Sequence, residues 1–282
     1  MGRASPDDVW GARGLADRIP PLPLTELQEA IARLLATNRS PDSYLAGGAA
    51  LHLEPNSKRY SNDLDYFQDS EQRVASAFAS DERLLVEAEY EVEVLLQQPG
   101  FVRALARRGS EATRIEWAHD SAWRFLPPLT SERAGFVLHP IDLAINKLLA
   151  LVGRDEPRDY IDVHEAMSGI LPLGALCWAA SGKDPGYTPP LLLELLRRRG
   201  KYRPEDFERL ALTGPVDLPA LKRRWLHAVE AAEGFFATRD PDQVGCLYYA
   251  PTAEAFVEPS PGQEVVPHYG RPGGVLPVLP SG

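Results

Sequence analysis

Two aspartates in an apolar segment are the residues whose types and spacing best suit chemistry. Asp63 and Asp65 flank Leu64, and Tyr66 follows them. On a β-strand this spacing directs both carboxylates to the same face. Neighbouring carboxylates repel each other, and a hard divalent cation stabilises the ionised pair; Mg²⁺ prefers such a pair together with substrate phosphate oxygens. The pair predicts phosphoryl or nucleotidyl transfer, and a solvated turn is the alternative for a bare Asp-x-Asp.

A glycine pair lies upstream of these acids. Gly47 and Gly48 have no side chains, so backbone N–H groups at the start of a helix could approach a phosphate. Arg59 and Ser61, just before the aspartates, would add a guanidinium and a hydroxyl. These four residues are predicted to bind the nucleotide.

Glu116 is the candidate for a third carboxylate. It lies in a predicted strand over 113–117 and has apolar neighbours. With the two aspartates it would complete a metal site for two Mg²⁺ ions, or for Mn²⁺. A surface glutamate on an edge strand is the alternative.

A basic cluster follows on a predicted helix. Lys147 lies among apolar residues, where a lysine is costly unless its ammonium reaches a partner or water. Arg154, seven residues later, shares its helix face, and the two could hold a triphosphate. Alternatively, Arg158, Asp159 and Asp162 form a local ion-pair network with this helix.

Periodicity predicts the elements that position these residues. Helices are predicted at about 24–35, 70–85, 141–152, 190–199 and 218–236, and strands at 44–46, 64–67, 91–94, 101–106 and 113–117. The domains are then an N-terminal arm (1–23), an α+β core (24–127), a helical domain (128–250) and a Pro/Gly-rich tail (251–282). The tail is predicted to lack regular structure, because its 32 residues include seven Pro and five Gly.

Composition excludes several classes of protein. The chain has 282 residues, 44% of them hydrophobic, with 30 Lys and Arg against 40 Asp and Glu, so its formal net charge is −10. This favours a folded protein and excludes a generally basic nucleic-acid coat. Cys177 and Cys246 have no metal-site spacing, and two cysteines cannot form a disulfide scaffold. The sequence has no export signal and no apolar run of about 18 residues, so a cytoplasmic protein without a membrane partner is expected.

Segments 44–51 (YLAGGAAL) and 59–67 (RYSNDLDYF) resemble the AbiEii/AbiGii toxin nucleotidyltransferase family, which belongs to the DNA polymerase β-like superfamily. That family's later motif, a lysine-bearing helix followed by Arg-Asp-x-x-Asp, is similar to residues 142–162. The resemblance covers about residues 25–170. It implies an α+β nucleotidyltransferase-like mixed sheet with flanking helices, followed by a helical C-terminal domain.

The resemblance also implies an activity: nucleotide transfer from an NTP with Mg²⁺. Asp63 and Asp65 match the family's metal acids, Glu116 its third acid, and Lys147 its triphosphate-contacting lysine. Ala49 departs from the Ser or Thr common after the glycines, and Glu116 from a common Asp.

Three hypotheses follow. In the leading one, the chain is a toxin with a cognate antitoxin, and it transfers a nucleotide to an acceptor such as tRNA with release of pyrophosphate. A small molecule is the alternative acceptor, which the acidic net charge favours. The third is a catalytically decayed nucleotide-binding module, which the departures at Ala49 and Glu116 favour.

Overall fold

The computed structural model of the protein describes residues 24–51 and 58–278, which form a mixed α+β structure. The α-helices are α1 (Glu26–Leu35), α2 (Gly47–Leu51), α3 (Glu71–Glu87), α4 (Pro140–Arg154), α5 (Pro157–Gly169), α6 (Leu173–Lys183), α7 (Pro189–Arg197), α8 (Pro204–Phe207) and α9 (Leu218–Ala237). The β-strands are β1 (Ser43–Ala46), β2 (Asp63–Gln68), β3 (Glu91–Gln98), β4 (Phe101–Arg108), β5 (Glu111–His119), β6 (Trp123–Arg124), β7 (Leu129–Ser131), β8 (Gly135–Val137), β9 (Leu247–Ala250), β10 (Ala255–Val257), β11 (Val266–His268) and β12 (Arg271–Pro272). All the helices and strands predicted above are confirmed, with shifts of a few residues at their ends. The predicted N-terminal arm, 1–23, lies outside the described residues.

The described residues fall into two compact units. The sheet unit contains 24–51, 58–143 and 271–275, and the helical unit contains 144–270 and 276–278. The structure therefore places the boundary after residue 143, whereas the sequence predicted it after residue 127. The reason is that β7 and β8 pair with each other and β8 pairs with β1, so residues 129–137 extend the sheet.

The sheet unit contains a seven-stranded mixed sheet in the order β3-β4-β5-β2-β1-β8-β7. Strands β3, β4 and β5 form the predicted antiparallel meander. Strand β2 runs parallel to β5 and antiparallel to β1. Because β2 lies in the middle of the sheet, its residues have neighbours on both sides.

Helices α1 and α3 cover one face of this sheet. Both helices contact β5, and α3 also contacts β2 and β4. Buried apolar residues on that face alternate with residues on the other face that include several charged ones, as a period of two allows. On the covered face lie Leu64, Tyr66, Val102, Ala104, Ala106, Ile115 and Trp117, all buried. We call the opposite side of β2, β4 and β5 the carboxylate face; it carries Asp63, Asp65, Arg103, Arg114 and Glu116.

Local sequence explains why α1 begins where it does. Thr25 accepts a hydrogen bond from the Gln28 backbone N–H, and the Gln28 side chain accepts one from the Thr25 backbone N–H. This reciprocal capping box satisfies two donors that a helix start leaves without partners. Leu27, Ile31 and Leu35 then recur at helical spacing and are buried against the sheet.

The helical unit includes three helices, α5, α6 and the short α8, that sequence patterns did not predict. It also contains a three-stranded sheet, β10-β9-β11, formed partly by the predicted irregular tail. The prediction of a tail without regular structure is wrong for β10, β11 and β12. Pro267 is compatible with β11 because this strand lies at a sheet edge, where a missing N–H is tolerated.

Both cysteines are free and buried. Among the described residues, no helix has the length and apolar character needed to cross a membrane.

Candidate active site on the carboxylate face

The two aspartates lie on one side of β2, as the spacing predicted. Leu64 and Tyr66 are fully buried in the core on the opposite side of the strand. The Asp63 side chain is 11% exposed. The strand thus presents two carboxylates on the face that α1 and α3 leave uncovered.

Glu116 lies on the same face as the aspartates. In the parallel pairing of β2 with β5, Asp65 is the register partner of Glu116 and Asp63 is the partner of Arg114. Register partners on adjacent strands point to the same side of a sheet. Glu116 therefore lies next to Asp65 on the face that bears both aspartates, and its role as a third acid stays a prediction.

Two arginines hold these acids. Arg114 Nη2 donates to Asp63 Oδ1 at 2.6 Å, and Arg114 Nε lies 3.5 Å from Glu116 Oε1. Arg103 Nε donates to the same Glu116 oxygen at 2.8 Å. The hydrogen bond to Asp63, followed by the charges of Asp63, Glu116 and Asp65, raises the pKa of Arg114. Sequence patterns gave Arg114 no role, although its position two residues before Glu116 puts both on one strand face.

The donor chemistry of this face fits a hard divalent cation. Three carboxylates on two adjacent strands supply the oxygen ligands that Mg²⁺ prefers. Across 24–51 and 58–278, however, no group of three or more His, Cys, Asp or Glu side chains is arranged so that it could hold a metal ion. The arginine contacts of Asp63 and Glu116 give the physical reason, since those carboxylates are directed at guanidinium groups. Their role as metal ligands stays a prediction.

The glycine pair forms the turn beside Asp65. Residue Ala46 at the end of β1 is the register partner of Asp65, and α2 begins at the next residue, Gly47. Gly47 has φ +61°, in the left-handed region, and a Cβ built on it would lie 1.9 Å from Asp65 Oδ2. Only glycine lets the turn lie directly against this carboxylate.

The side chains of Arg59 and Ser61 pack against the second glycine, Gly48. A Cβ on Gly48 would be 2.9 Å from Arg59 Nη2 and 3.1 Å from Ser61 Oγ. Both side chains belong to buried residues, and the Ser61 hydroxyl donates to the Asp63 carbonyl oxygen at 2.8 Å. The structure thus brings together four of the six predicted nucleotide-binding residues, Gly47, Gly48, Arg59 and Ser61, whereas their contact with phosphate remains a prediction.

Replacing Gly47 by Ala is expected to damage the site more than the fold. The left-handed backbone costs about 1–2 kcal/mol for a residue with a Cβ, and the methyl group would also displace Asp65. A displacement of about 1 Å lowers activity roughly a hundredfold. The measurement is the rate of nucleotide transfer together with the melting temperature.

Gly109 provides the matched control for Gly47. It has φ +63° in the β4–β5 turn, and nothing lies within 4 Å of a Cβ built there. Gly109→Ala should carry a similar backbone strain and keep its activity. Equal loss of activity in both variants would show that backbone strain, not the contact with Asp65, accounts for the effect.

Lys147 and Arg154 lie in the helical unit, on α4. Lys147 Nζ is 2.8 Å from Asp162 Oδ2 and 3.6 Å from Asp159 Oδ1. Arg154 donates to both oxygens of Asp159, at 2.6 and 2.8 Å. Both aspartates are fully buried, so the alternative of an ion-pair network linking α4 and α5 is present for Asp159 and Asp162, with Lys147 and Arg154 in place of the expected Arg158. Their predicted contact with a triphosphate stays a prediction.

Comparison with known proteins supplies the family. The model of the nucleotidyl transferase AbiEii toxin family, described as a type IV toxin–antitoxin system, matches residues 30–245. The chain belongs to the AbiEii nucleotidyltransferase family. It is therefore a nucleotidyltransferase, and membership of a toxin family implies an antitoxin partner.

The solved structure of one nucleotidyltransferase toxin has a fold similar to that of this AbiEii member. MenT4, a nucleotidyltransferase toxin from Mycobacterium tuberculosis, matches with TM-score 0.54 and 19% identity over 77% of this chain and 83% of that chain. JHP933 from Helicobacter pylori matches with TM-score 0.45 and 15% identity over 75% of this chain and 94% of its own. At these identities the likeness concerns the fold alone. Among curated proteins, no relative matches the chain.

Proposed function

We propose that this AbiEii-family chain transfers a nucleotide from an NTP to a hydroxyl of an acceptor RNA, with Mg²⁺ held by Asp63, Asp65 and Glu116. The observation that carries the proposal is the parallel register of β2 and β5, which puts Glu116 beside Asp65 on the face that also bears Asp63. Three carboxylates on one face repel each other unless positive charge compensates them; Arg114 and Arg103 supply part of that charge, and a bound cation would supply the rest.

In the proposed reaction the acceptor hydroxyl oxygen attacks the α-phosphorus. A bond forms between that oxygen and phosphorus, the bond to the β-phosphate oxygen breaks, and pyrophosphate leaves. Bound Mg²⁺ would stabilise the negative charge that develops on the phosphates and lower the pKa of the acceptor hydroxyl. Glu116 receives the proton of the hydroxyl, and N–H groups of the Gly47–Gly48 turn, with Arg59, hold the leaving phosphates.

Basic side chains beside the acids support a polyanionic acceptor, and we propose tRNA. Arg103 and Arg114 lie on the carboxylate face in contact with the acids, and their side chains are 37% and 40% exposed. Guanidinium groups bind phosphate oxygens in pairs of parallel hydrogen bonds, as RNA backbone contacts require. These arginines lie within the sheet unit, so the acidic net charge of the whole chain does not argue against an RNA acceptor.

The test is incubation with each of the four NTPs, labelled at the α- or the γ-phosphate, with Mg²⁺ and bulk tRNA. The proposal predicts that RNA is labelled from at least one α-labelled NTP and never from γ-labelled NTP, because pyrophosphate carries the γ-phosphate away. Chelation of the metal with EDTA should abolish labelling.

Other outcomes would replace this proposal. Pyrophosphate release without RNA labelling would indicate a small-molecule acceptor. Nucleotide binding that releases no pyrophosphate and does not depend on Mg²⁺ would indicate a decayed binding module. Either result contradicts transfer to tRNA.

A further inference from the structure

Arg114 contacts two of the proposed metal ligands, Asp63 and Glu116, so a bound cation would compete with it for those carboxylates. Its guanidinium contacts Asp63 at 2.6 Å and lies 3.5 Å from Glu116, so one positive charge lies between acids of two strands. We propose that Arg114 is an internal counter-charge of the metal site, which holds these carboxylates before the metal binds and is displaced by it. The inference rests on the proposed function and adds a regulatory step to it.

The exposure of the groups supports a displaceable contact. The Arg114 side chain is 40% exposed, whereas the side chains of Asp63 and Glu116 are 11% and 17% exposed. A partly exposed arginine can turn into solvent with its charge hydrated, so the cost of displacing it is mainly the lost ion pair with Asp63. The carboxylates cannot leave with it, since they are more deeply enclosed.

The second arginine makes the arrangement asymmetric. Arg103 donates to Glu116 at 2.8 Å, and its guanidinium carbon lies 5.2 Å from the centre of the Phe101 ring. Glu116 therefore keeps one fixed partner when Arg114 moves away. Asp63 loses its contact with Arg114 in the same step, and Asp63 Oδ1 becomes available to a metal ion.

A simple competition follows from these contacts. Metal binding to the free protein must break the Arg114–Asp63 ion pair, so the observed metal affinity is lower than that of the carboxylates alone. Removing the guanidinium charge removes that competitor. Arg114 is thus a positioning residue, and its loss should tighten metal binding before any nucleotide is present.

The experiment measures binding of Mn²⁺ to the full-length protein without nucleotide, by electron paramagnetic resonance of the free ion. Arg114→Gln is expected to lower the Mn²⁺ Kd by roughly tenfold, equivalent to about 1.4 kcal/mol. Arg114→Lys keeps the charge and loses the planar fork, so its Kd should lie between those of the Gln variant and the wild type. Melting temperatures show that each variant is folded.

Arg107→Gln is the matched control. Arg107 lies on the same face of β4 and pairs with Glu93 at 3.4 Å, away from the three acids. Its loss removes an equal charge and should leave the Mn²⁺ Kd unchanged. A double-mutant cycle with Asp63→Asn should show that Arg114→Gln no longer tightens binding once Asp63 has lost its charge.

Two results would overturn the inference, and only the second also contradicts the proposed metal site. If Arg114→Gln binds Mn²⁺ with the wild-type Kd or more weakly, the counter-charge role is wrong while the metal site stands. If neither protein binds Mn²⁺ and labelling of RNA persists in EDTA, the metal site of the proposed function is wrong as well.

Discussion

Replacing Asp65 by Asn should lower nucleotide transfer about a thousandfold, which corresponds to about 4 kcal/mol of activation free energy. Asn has the same shape but no charge, so the side chain keeps its place beside Gly47 and Glu116 while the proposed metal ligand loses its negative charge. Substitutions of single groups that stabilise transition-state charge typically cost a hundredfold to a thousandfold. The measurement is the single-turnover rate of RNA labelling with saturating NTP and Mg²⁺.

Glu93→Gln is the control for Asp65→Asn. It makes the same chemical change on the same side of the sheet, on an exposed side chain that pairs with Arg107. Its rate should be close to that of the wild type, and both variants should keep the wild-type melting temperature within a few degrees. An Asp65→Asn rate within tenfold of the wild type would contradict a role of this carboxylate in the reaction.

Of the substitutions considered, removal of the buried Asp81 carboxylate should lower the free energy of unfolding most. Asp81 and Arg39 are fully buried and ion-paired at 2.5 Å. The same carboxylate accepts hydrogen bonds from Trp117 Nε1 at 2.7 Å and from Asn38 Nδ2 at 2.8 Å, so it joins α3 to β5 and to the segment after α1. Asp81→Ala leaves a buried guanidinium without its carboxylate, which costs about 3–5 kcal/mol.

Urea unfolding measures the loss of unfolding free energy. Amide hydrogen exchange of β4 and β5 shows whether that loss lies in the sheet unit. The exposed pair Arg107–Glu93 is the control, and Glu93→Ala should change the free energy of unfolding by less than about 1 kcal/mol. Replacing both partners, Arg39→Met with Asp81→Leu, should be less harmful than Asp81→Ala, because no charge is then buried alone. Wild-type stability of Asp81→Ala would show that the buried pair does not support the unit.

Local periodicity was sufficient to predict part of the site. The alternation of Asp63 and Asp65 with Leu64 and Tyr66 determines which side chains are buried, once β2 is a strand with one covered face. The glycine turn could also be predicted, because residues 47 and 48 follow a short apolar strand directly. These features depend on neighbours along the chain.

The position of Glu116 beside Asp65 depends on contacts distant in sequence. It requires parallel pairing of β2 with β5, and α3, β3 and β4 lie between them in the chain. The predicted strand and its apolar neighbours made Glu116 a candidate, and the family resemblance matched it to the third acid, but neither could predict which strand would pair with β5. The Arg114–Asp63 contact was missed for the same reason, since a one-residue change of register would remove it.

Short strands explain the remaining differences. Strands β7 and β8 have three residues each, too few for an alternating pattern to be recognised, so residues 128–143 were assigned to the helical domain. The strands of the C-terminal segment are equally short and include Pro267 and Pro272. Pairing partners elsewhere in the chain stabilise them, and a local pattern carries no information about those partners.

The central claim is that Asp63, Asp65 and Glu116 bind the catalytic cation on the carboxylate face. Its most direct test is anomalous X-ray scattering from crystals grown with Mn²⁺ and a non-hydrolysable NTP. We predict an anomalous peak at coordinating distance from Asp65 and at least one of the other two carboxylates, with Arg114 turned away from Asp63. A Mn²⁺ peak on the nucleotide phosphates that contacts none of the three carboxylates would contradict the claim.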